Sequence, residues 1–357
     1  MRFVSVTIDA TDFRRPAARG AALALLAAVL FGISTPLVQH AGRGVGPFAT
    51  AALLYVGAAL VGVLLRQPVT REAAVRRSDL PRLIWMALFG AVIGPVALAW
   101  GLQRTSGTSA SLMLALEALF TAMLARALYR EVMGHRIWAA MTLLLAGAIV
   151  LIVDRGLTWG VQFAGLLAVF AATAAWGVDN TLSRALAERD PAQVVFAKAV
   201  LGATATSVLA LASGEGVPSR SAIALIAIGA TGYGLSLRLY LLAQRAFGAA
   251  RTGSVFALAP FVWALLAVAL GDRSLSWGMG IGGLLMLSGV ALHLAESHSH
   301  EHAHELLEHE HAHTHDDAHH DHRHEPMPPG MHSHHHVHLP TRHAHPHVPD
   351  AHHAHPH

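Results

Sequence analysis

The chain has 357 residues, 54% of them hydrophobic, with a formal net charge of +3 and no cysteine. Without cysteine there are no disulfides and no thiolate metal ligands, so any metal site must use imidazole, carboxylate or backbone oxygen. The one lysine is Lys198, and the arginines fall between long apolar runs instead of forming one basic patch. That pattern argues for membrane flanks and against nucleic-acid binding.

A membrane helix needs about 20 mostly apolar residues to cross about 30 Å of hydrocarbon. Ten segments meet this requirement, at 20–40, 46–65, 83–103, 107–129, 135–153, 160–186, 191–213, 221–246, 249–270 and 276–295. Arg14 and Arg15 ahead of GAALALLAAVLFGIS have the outline of a signal peptide. No clear small-residue cleavage site follows and the apolar run continues to Val38, so the stretch reads as the first membrane helix. With sides alternating at each helix, fifteen arginines, from Arg2 to Arg251, fall on the side of the N-terminus. Only Arg43, Arg104, Arg155, Arg220 and Arg273 fall opposite. The positive-inside rule then places the N-terminus in the cytoplasm of a bacterial-type inner membrane. An even number of crossings returns the C-terminus to the same side.

The two halves of this region resemble each other. GLQRTSG at 101–107 returns as LAQRAFG at 242–248, and EALF at 117–120 aligns with LAPF at 258–261. Glu131 aligns with Asp272, LFGISTP at 30–36 with AWGVDNT at 175–181, and Pro47 with Pro191. Five helices per half is an odd number, so the halves are inverted with respect to each other. Inverted repeats are a feature of secondary transporters, whose sites lie near the midplane between the halves. The predicted organisation is a short cytoplasmic segment at 1–19, five-helix repeats at 20–153 and 160–295, and a tail at 297–357.

Carried by these residues, the chain resembles the tandem EamA-type, ten-helix members of the drug/metabolite transporter superfamily. The resemblance rests on the FG and WG steps of the first and sixth segments, with Asn180 after the latter. Glu117 followed by an aromatic, Pro260-Phe261, and the acidic helix ends Glu131 and Asp272 add to it. Pro191 followed by Lys198 is similar to the spacing at the start of a repeat's second helix, whereas the first half has Leu54 there, with Tyr55 beside it. The resemblance implies an all-α integral membrane protein and a small solute or ion as cargo. It leaves the substrate open among amino acids, nucleotide sugars, drugs and other solutes. No phosphate loop of the G-x-x-x-x-G-K-[ST] kind is present, so ATP hydrolysis is not expected, and the resemblance implies a transporter and not an enzyme.

A charge at the centre of a membrane helix costs roughly 2.5–3.5 kcal/mol on insertion scales, so each one demands a reason. Glu117, Asp179, Lys198 and Arg238 are four such charges. Glu117 stands near mid-membrane, where a carboxyl can carry a proton or ligate a divalent cation. Its repeat counterpart is Leu258. Asp179 and Lys198 lie at similar distances from the turn between the sixth and seventh segments, which predicts an ion pair or a water-bridged contact. The competing reading has Lys198 snorkelling to the interface. Arg238 balances a carboxylate or reaches the interface. Asn180 and Gln103 suit either substrate binding or helix–helix hydrogen bonds. Pro36, Pro95 and Pro260 are expected to kink or break their helices.

Of the 27 histidines, 24 lie between His298 and His357. The densest run, His309, His311, His313, His315, His319, His320, His322 and His324, alternates with acids. Residues 297–357 hold nine acids and two arginines, a formal −7, leaving +10 on the rest. Composition predicts a disordered cytoplasmic tail. Neutral imidazole suits divalent transition ions, and His-x-His spacing puts alternate side chains together. The tail is therefore read as a ligand for nickel or cobalt, then zinc, with no cofactor required. The leading reading from sequence is divalent-metal efflux fed by the tail, of nickel or cobalt and then zinc. The alternatives are export of amino acids, metabolites or drugs with the tail as an accessory metal sensor, and a non-transporting membrane metal store or sensor on a transporter-like body.

Overall fold

A computed structural model of the chain describes residues 10–68, 70–105, 107–129, 134–154, 161–186, 189–247, 249–269, 276–294, 298–303, 307–313, 332–338 and 342–347. All ten apolar segments are helical. The first, α1 (Ala10–Ala41), starts ahead of the apolar run and continues through Pro36. The second is α2 (Pro47–Leu64). The third is α3 (Leu80–Ala87), which passes through a π-helical stretch, Leu88–Ile93, into α4 (Gly94–Leu102). The fourth, expected to be continuous over 107–129, is instead broken at Ala115 into α5 (Gly107–Leu114) and α6 (Leu116–Tyr129). The fifth, sixth and seventh are α7 (His135–Asp154), α8 (Val161–Ser183) and α9 (Pro191–Ala212).

The eighth repeats the third: α10 (Ser219–Ile228), a π stretch at Gly229–Leu235, and α11 (Ser236–Phe247). The ninth repeats the fourth, breaking between α12 (Ala249–Phe256) and α13 (Ala259–Ala269). The tenth is α14 (Trp277–Leu294). Seven of these helical runs are long and apolar enough to cross a membrane. Of the other three, the fourth and ninth are each divided, and the tenth counts as a shorter apolar helix over Trp277–Leu292. At the breaks the backbone is not left unpaired: Ala115 N–H donates to Leu112 O at 3.0 Å and Leu258 N–H to Val255 O at 3.1 Å, tight turns that use carbonyls left at a helix end. Pro260 occupies the second residue of the helix that resumes, where a missing N–H costs no helical bond, whereas Pro95 stands inside a continuous helical run and its missing N–H leaves the Gly90 carbonyl without a helical donor.

The irregularities are related by the repeat. The π stretches begin at Leu88 and Gly229, 141 residues apart (229 − 88), the same offset that aligns Glu117 with Leu258. Packing follows the same exchange. Helix α1 packs on α11 and α13, while its counterpart α8 packs on α4 and α6. The counterparts α2 and α9 pack on each other, as do α7 and α14. Where α2 meets the eighth segment, Gly57 lies against the carbonyl of Ile226 and Gly229 against that of Leu54, an approach that a Cβ on either glycine would block. Small residues at helix contacts serve this purpose in lipid, where burial of apolar surface drives helices together only weakly. Large apolar residues such as Leu64, Leu211 and Ile223 remain exposed on the outside, as lipid contact allows.

In the tail the described residues are β1 (His298–Ala303), β2 (Leu307–His313), β3 (His332–His338) and β4 (Arg342–His347), paired antiparallel as β1 with β4 and β2 with β3. A backbone ladder needs no apolar core, so the compositional argument against a packed domain does not exclude it. Ser333 N–H of β3 donates to the carbonyl of Thr70, in the loop between α2 and α3, at 3.3 Å. Glu131, Asp272, His315, His319, His320, His322 and His324 lie outside the described residues.

Candidate functional site

Asp190 is the N-cap of α9, its side chain accepting Ala192 N–H at 2.9 Å, and Pro191 follows at the first helical position. This start fixes the hairpin between α8 and α9, and with it the depth of Lys198. Lys198 Nζ donates to Asp179 Oδ2, and the two residues are 2% and 3% exposed. The pair is direct and buried, so Lys198 does not snorkel.

Asn180, next along α8, donates from Nδ2 to Glu117 Oε1. Glu117 is the second residue of α6, immediately beyond the break at Ala115, and helix N-termini favour a carboxylate. The break and the sixth segment thus bring both polar pairs to one place. They line one cavity in the interior of the bundle. Glu117 and Asn180 also line an adjoining space that reaches Pro260.

The remaining walls are mostly aromatic, Phe31, Tyr55, Trp176, Tyr233, Tyr240 and Phe256, with Gly232, Ser236 and Leu237 between them. Phe31 is central, with ring centroids 5.5 Å from Trp176, 5.6 Å from Tyr233 and 5.4 Å from Phe256. The π stretch of the third segment supports this wall. Its Gly90 carbonyl accepts from Tyr55 Oη and from Trp176 Nε1, the latter at 3.1 Å. A side chain at Gly90 would run into Asp179 and Lys198. Asp179 Oδ1 and Tyr233 Oη are buried without a hydrogen-bond partner among the described residues, and both residues line the cavity. An orphaned acceptor and an orphaned hydroxyl beside an aromatic wall can take a polar head on an apolar body.

The sequence candidates divide at this point. Glu117, Asp179, Asn180 and Lys198 are brought together. Arg238, on α11, is not one of the lining residues, and its Nε is buried without a hydrogen-bond partner among the described residues. Gln103 caps the C-terminal end of α4 and donates to Val45 O at 3.0 Å, tying two loops on the arginine-poor face. The aromatic residues escaped sequence reasoning, although a signal exists: the chain has four tyrosines, and three of them, Tyr55, Tyr233 and Tyr240, stand on the cavity. In the membrane region no three His, Asp or Glu side chains gather as metal ligands among the described residues.

Polar contacts tie both ends of the bundle. On the arginine-rich face Arg245 Nη1 donates to both carboxylate oxygens of Glu72, at 3.0 and 2.9 Å, and its Nη2 to Arg189 O. Arg189 Nε in turn donates to Asp79 Oδ2 at 3.0 Å. Asp190 accepts from Gln67 N–H at 3.1 Å. On the opposite face Glu215 accepts from Ala49 N–H at 2.7 Å at the start of α2, and Gln39 donates to Leu102 O at 2.9 Å.

Comparison with known proteins agrees with this architecture. The profile of the EamA-like transporter family matches residues 18–153 and 163–295. An uncharacterized transporter from Methanothermobacter thermautotrophicus is 27% identical over 285 residues, covering 74% of this chain and 83% of that protein. A solved structure, described only as a crystal structure of a protein, superposes with a TM-score of 0.58 at 21% identity, covering 78% of this chain and 97% of the other. That likeness is one of fold.

Proposed function

This chain belongs to the EamA-like transporter family, and from that premise we propose that it exports a small, amino-bearing organic solute across the inner membrane. The observation that supports this reading is the pairing of opposite charges with aromatic faces in one cavity. The aromatic rings attract an ammonium group through their faces. Glu117 and the free Oδ1 of Asp179 accept its hydrogens, and Lys198 balances a carboxylate on the same solute. The arginine-rich face, with both termini, lies in the cytoplasm. Glu117 is the group at which a proton and the solute compete, which couples export to the proton gradient.

A second reading, that a divalent metal ion is itself the cargo, draws on the tail, where 24 of the 27 histidines lie. The cavity gives it less support, since its lining includes two carboxylates and no histidine. The two are separated by counterflow in proteoliposomes holding the full chain, offered labelled amino acids and amines in one set and Ni²⁺, Co²⁺ or Zn²⁺ in the other. The organic set is expected to exchange, and Glu117→Gln is expected to slow that exchange at least tenfold. Exchange of metal alone would replace this reading with the second. Full activity of Glu117→Gln would remove Glu117 from the pathway.

A further inference from the structure

The tail strands carry a juxtaposition that composition alone does not supply. In the β2–β3 ladder His309 stands opposite His336, His311 opposite His334, and His313 opposite His332. In the β1–β4 ladder His298, His300 and His302 likewise stand opposite histidines of β4. Directly opposed residues of an antiparallel pair lie on the same face, with Cβ atoms about 4.5–5.5 Å apart, and every second residue along a strand shares that face. Three successive rungs therefore collect six histidines on one face of each ladder. The alternate positions of β2 and β3 hold Glu308, Glu310, Ala312, Ser333, His335 and Val337, a face with a single histidine. A slip of one residue would undo the pairing, so register and not histidine content creates the face.

We propose that the histidine face of the β2–β3 ladder is a binding site for a divalent transition-metal ion of the nickel, cobalt, zinc and copper group. Two adjacent rungs offer four imidazole positions, a donor set that suits these ions and not calcium or magnesium, which take oxygen ligands. At neutral pH imidazole with an ordinary pKa near 6.5 is mostly uncharged and free to ligate. The site has a fixed address, because Ser333 N–H of β3 is bonded to Thr70 O in the loop that also carries Glu72 and Asp79. Metal is thus held beside the charged contacts on the arginine-rich face. This inference concerns equilibrium binding and stands whether the cargo is an organic solute or a metal ion.

The test is competition of purified full-length protein against a chromophoric chelator for Ni²⁺ and for Zn²⁺. One variant exchanges neighbours within β2, His311→Ala with Ala312→His, which leaves composition unchanged and breaks the central rung. A control exchanges Ala318→His with His319→Ala, outside the ladders. The β2 exchange is expected to weaken the tightest binding at least tenfold, and the control to leave it within twofold. Parent-like affinity in the β2 exchange, or equal weakening in both variants, would overturn the ladder site and leave histidine content as the cause of binding.

Discussion

At the scale of single residues, the Asp179–Lys198 pair has the largest consequence for stability. Desolvating two charges is costly, and the attraction between them offsets that cost only while both are present. Lys198→Ala is expected to destabilise the purified protein by about 3–5 kcal/mol, because it strands Asp179 in the bundle. The double variant Asp179→Leu/Lys198→Met is expected to recover most of that loss while transport stays abolished. Thermal unfolding in detergent beside a transport assay reads both outcomes. A double variant no more stable than Lys198→Ala would show that the pair does not set stability in this way. The pair was legible in the sequence because helix rise turns residue counts into depth, and the turn at Asp190-Pro191 marks where counting starts. The Glu117–Asn180 bond was not legible, since it depends on how α6 rotates against α8. The aromatic wall was also hidden: Phe31 and Phe256 are residues of the kind that any apolar helix carries, and only their convergence on one space distinguishes them.

At the scale of elements, the ten apolar segments could be read from hydropathy, whereas the π stretches and the two broken helices could not. Each irregularity depends on partners far away in sequence. The Gly90 carbonyl, which Pro95 leaves without a helical donor, is satisfied by Tyr55 and Trp176, from the second and sixth segments, and that tertiary bonding is not written in the local sequence. Proline was an incomplete guide. Pro260 follows a break at a position that tolerates it and Pro95 stands inside a continuous helical run, while α1 continues through Pro36. π-Helical turns recur at functional sites, and here both stand at repeat-related places: Gly232 and Tyr233 of one line the cavity, and Gly90 of the other lies against Asp179 and Lys198. Gly90→Ala is therefore expected to displace the Asp179–Lys198 pair and to lower transport at least tenfold. Gly216→Ala, in open space, is the matched control and is expected to transport like the parent. Wild-type transport by Gly90→Ala would separate the π stretch from the site.

At the scale of the whole molecule, the inverted repeat places one cavity between two sets of polar ties, and transport requires each set to open in turn. The ties are unequal. The arginine-poor face is held by a carboxylate cap and two amide hydrogen bonds, and the arginine-rich face by linked charges, Glu72–Arg245 and Arg189–Asp79. Glu72 is only 3% exposed, so its bond to Arg245 is shielded from the screening that weakens surface pairs. Breaking it should favour conformations open to the arginine-rich face, because a population shift follows whichever state loses more contacts. The chain has no cysteine of its own, so one introduced thiol reports access without background. Ser236 is a suitable place, buried on the cavity and bonded to Ala27 O at 2.8 Å. In a Ser236→Cys background, Arg245→Gln is expected to raise the rate of labelling by a membrane-impermeant thiol reagent severalfold from the arginine-rich face, and to leave or lower it from the other. Equal acceleration from both faces would mean general loosening of the bundle. An unchanged rate would mean that the Glu72–Arg245 contact does not close the path to the cavity.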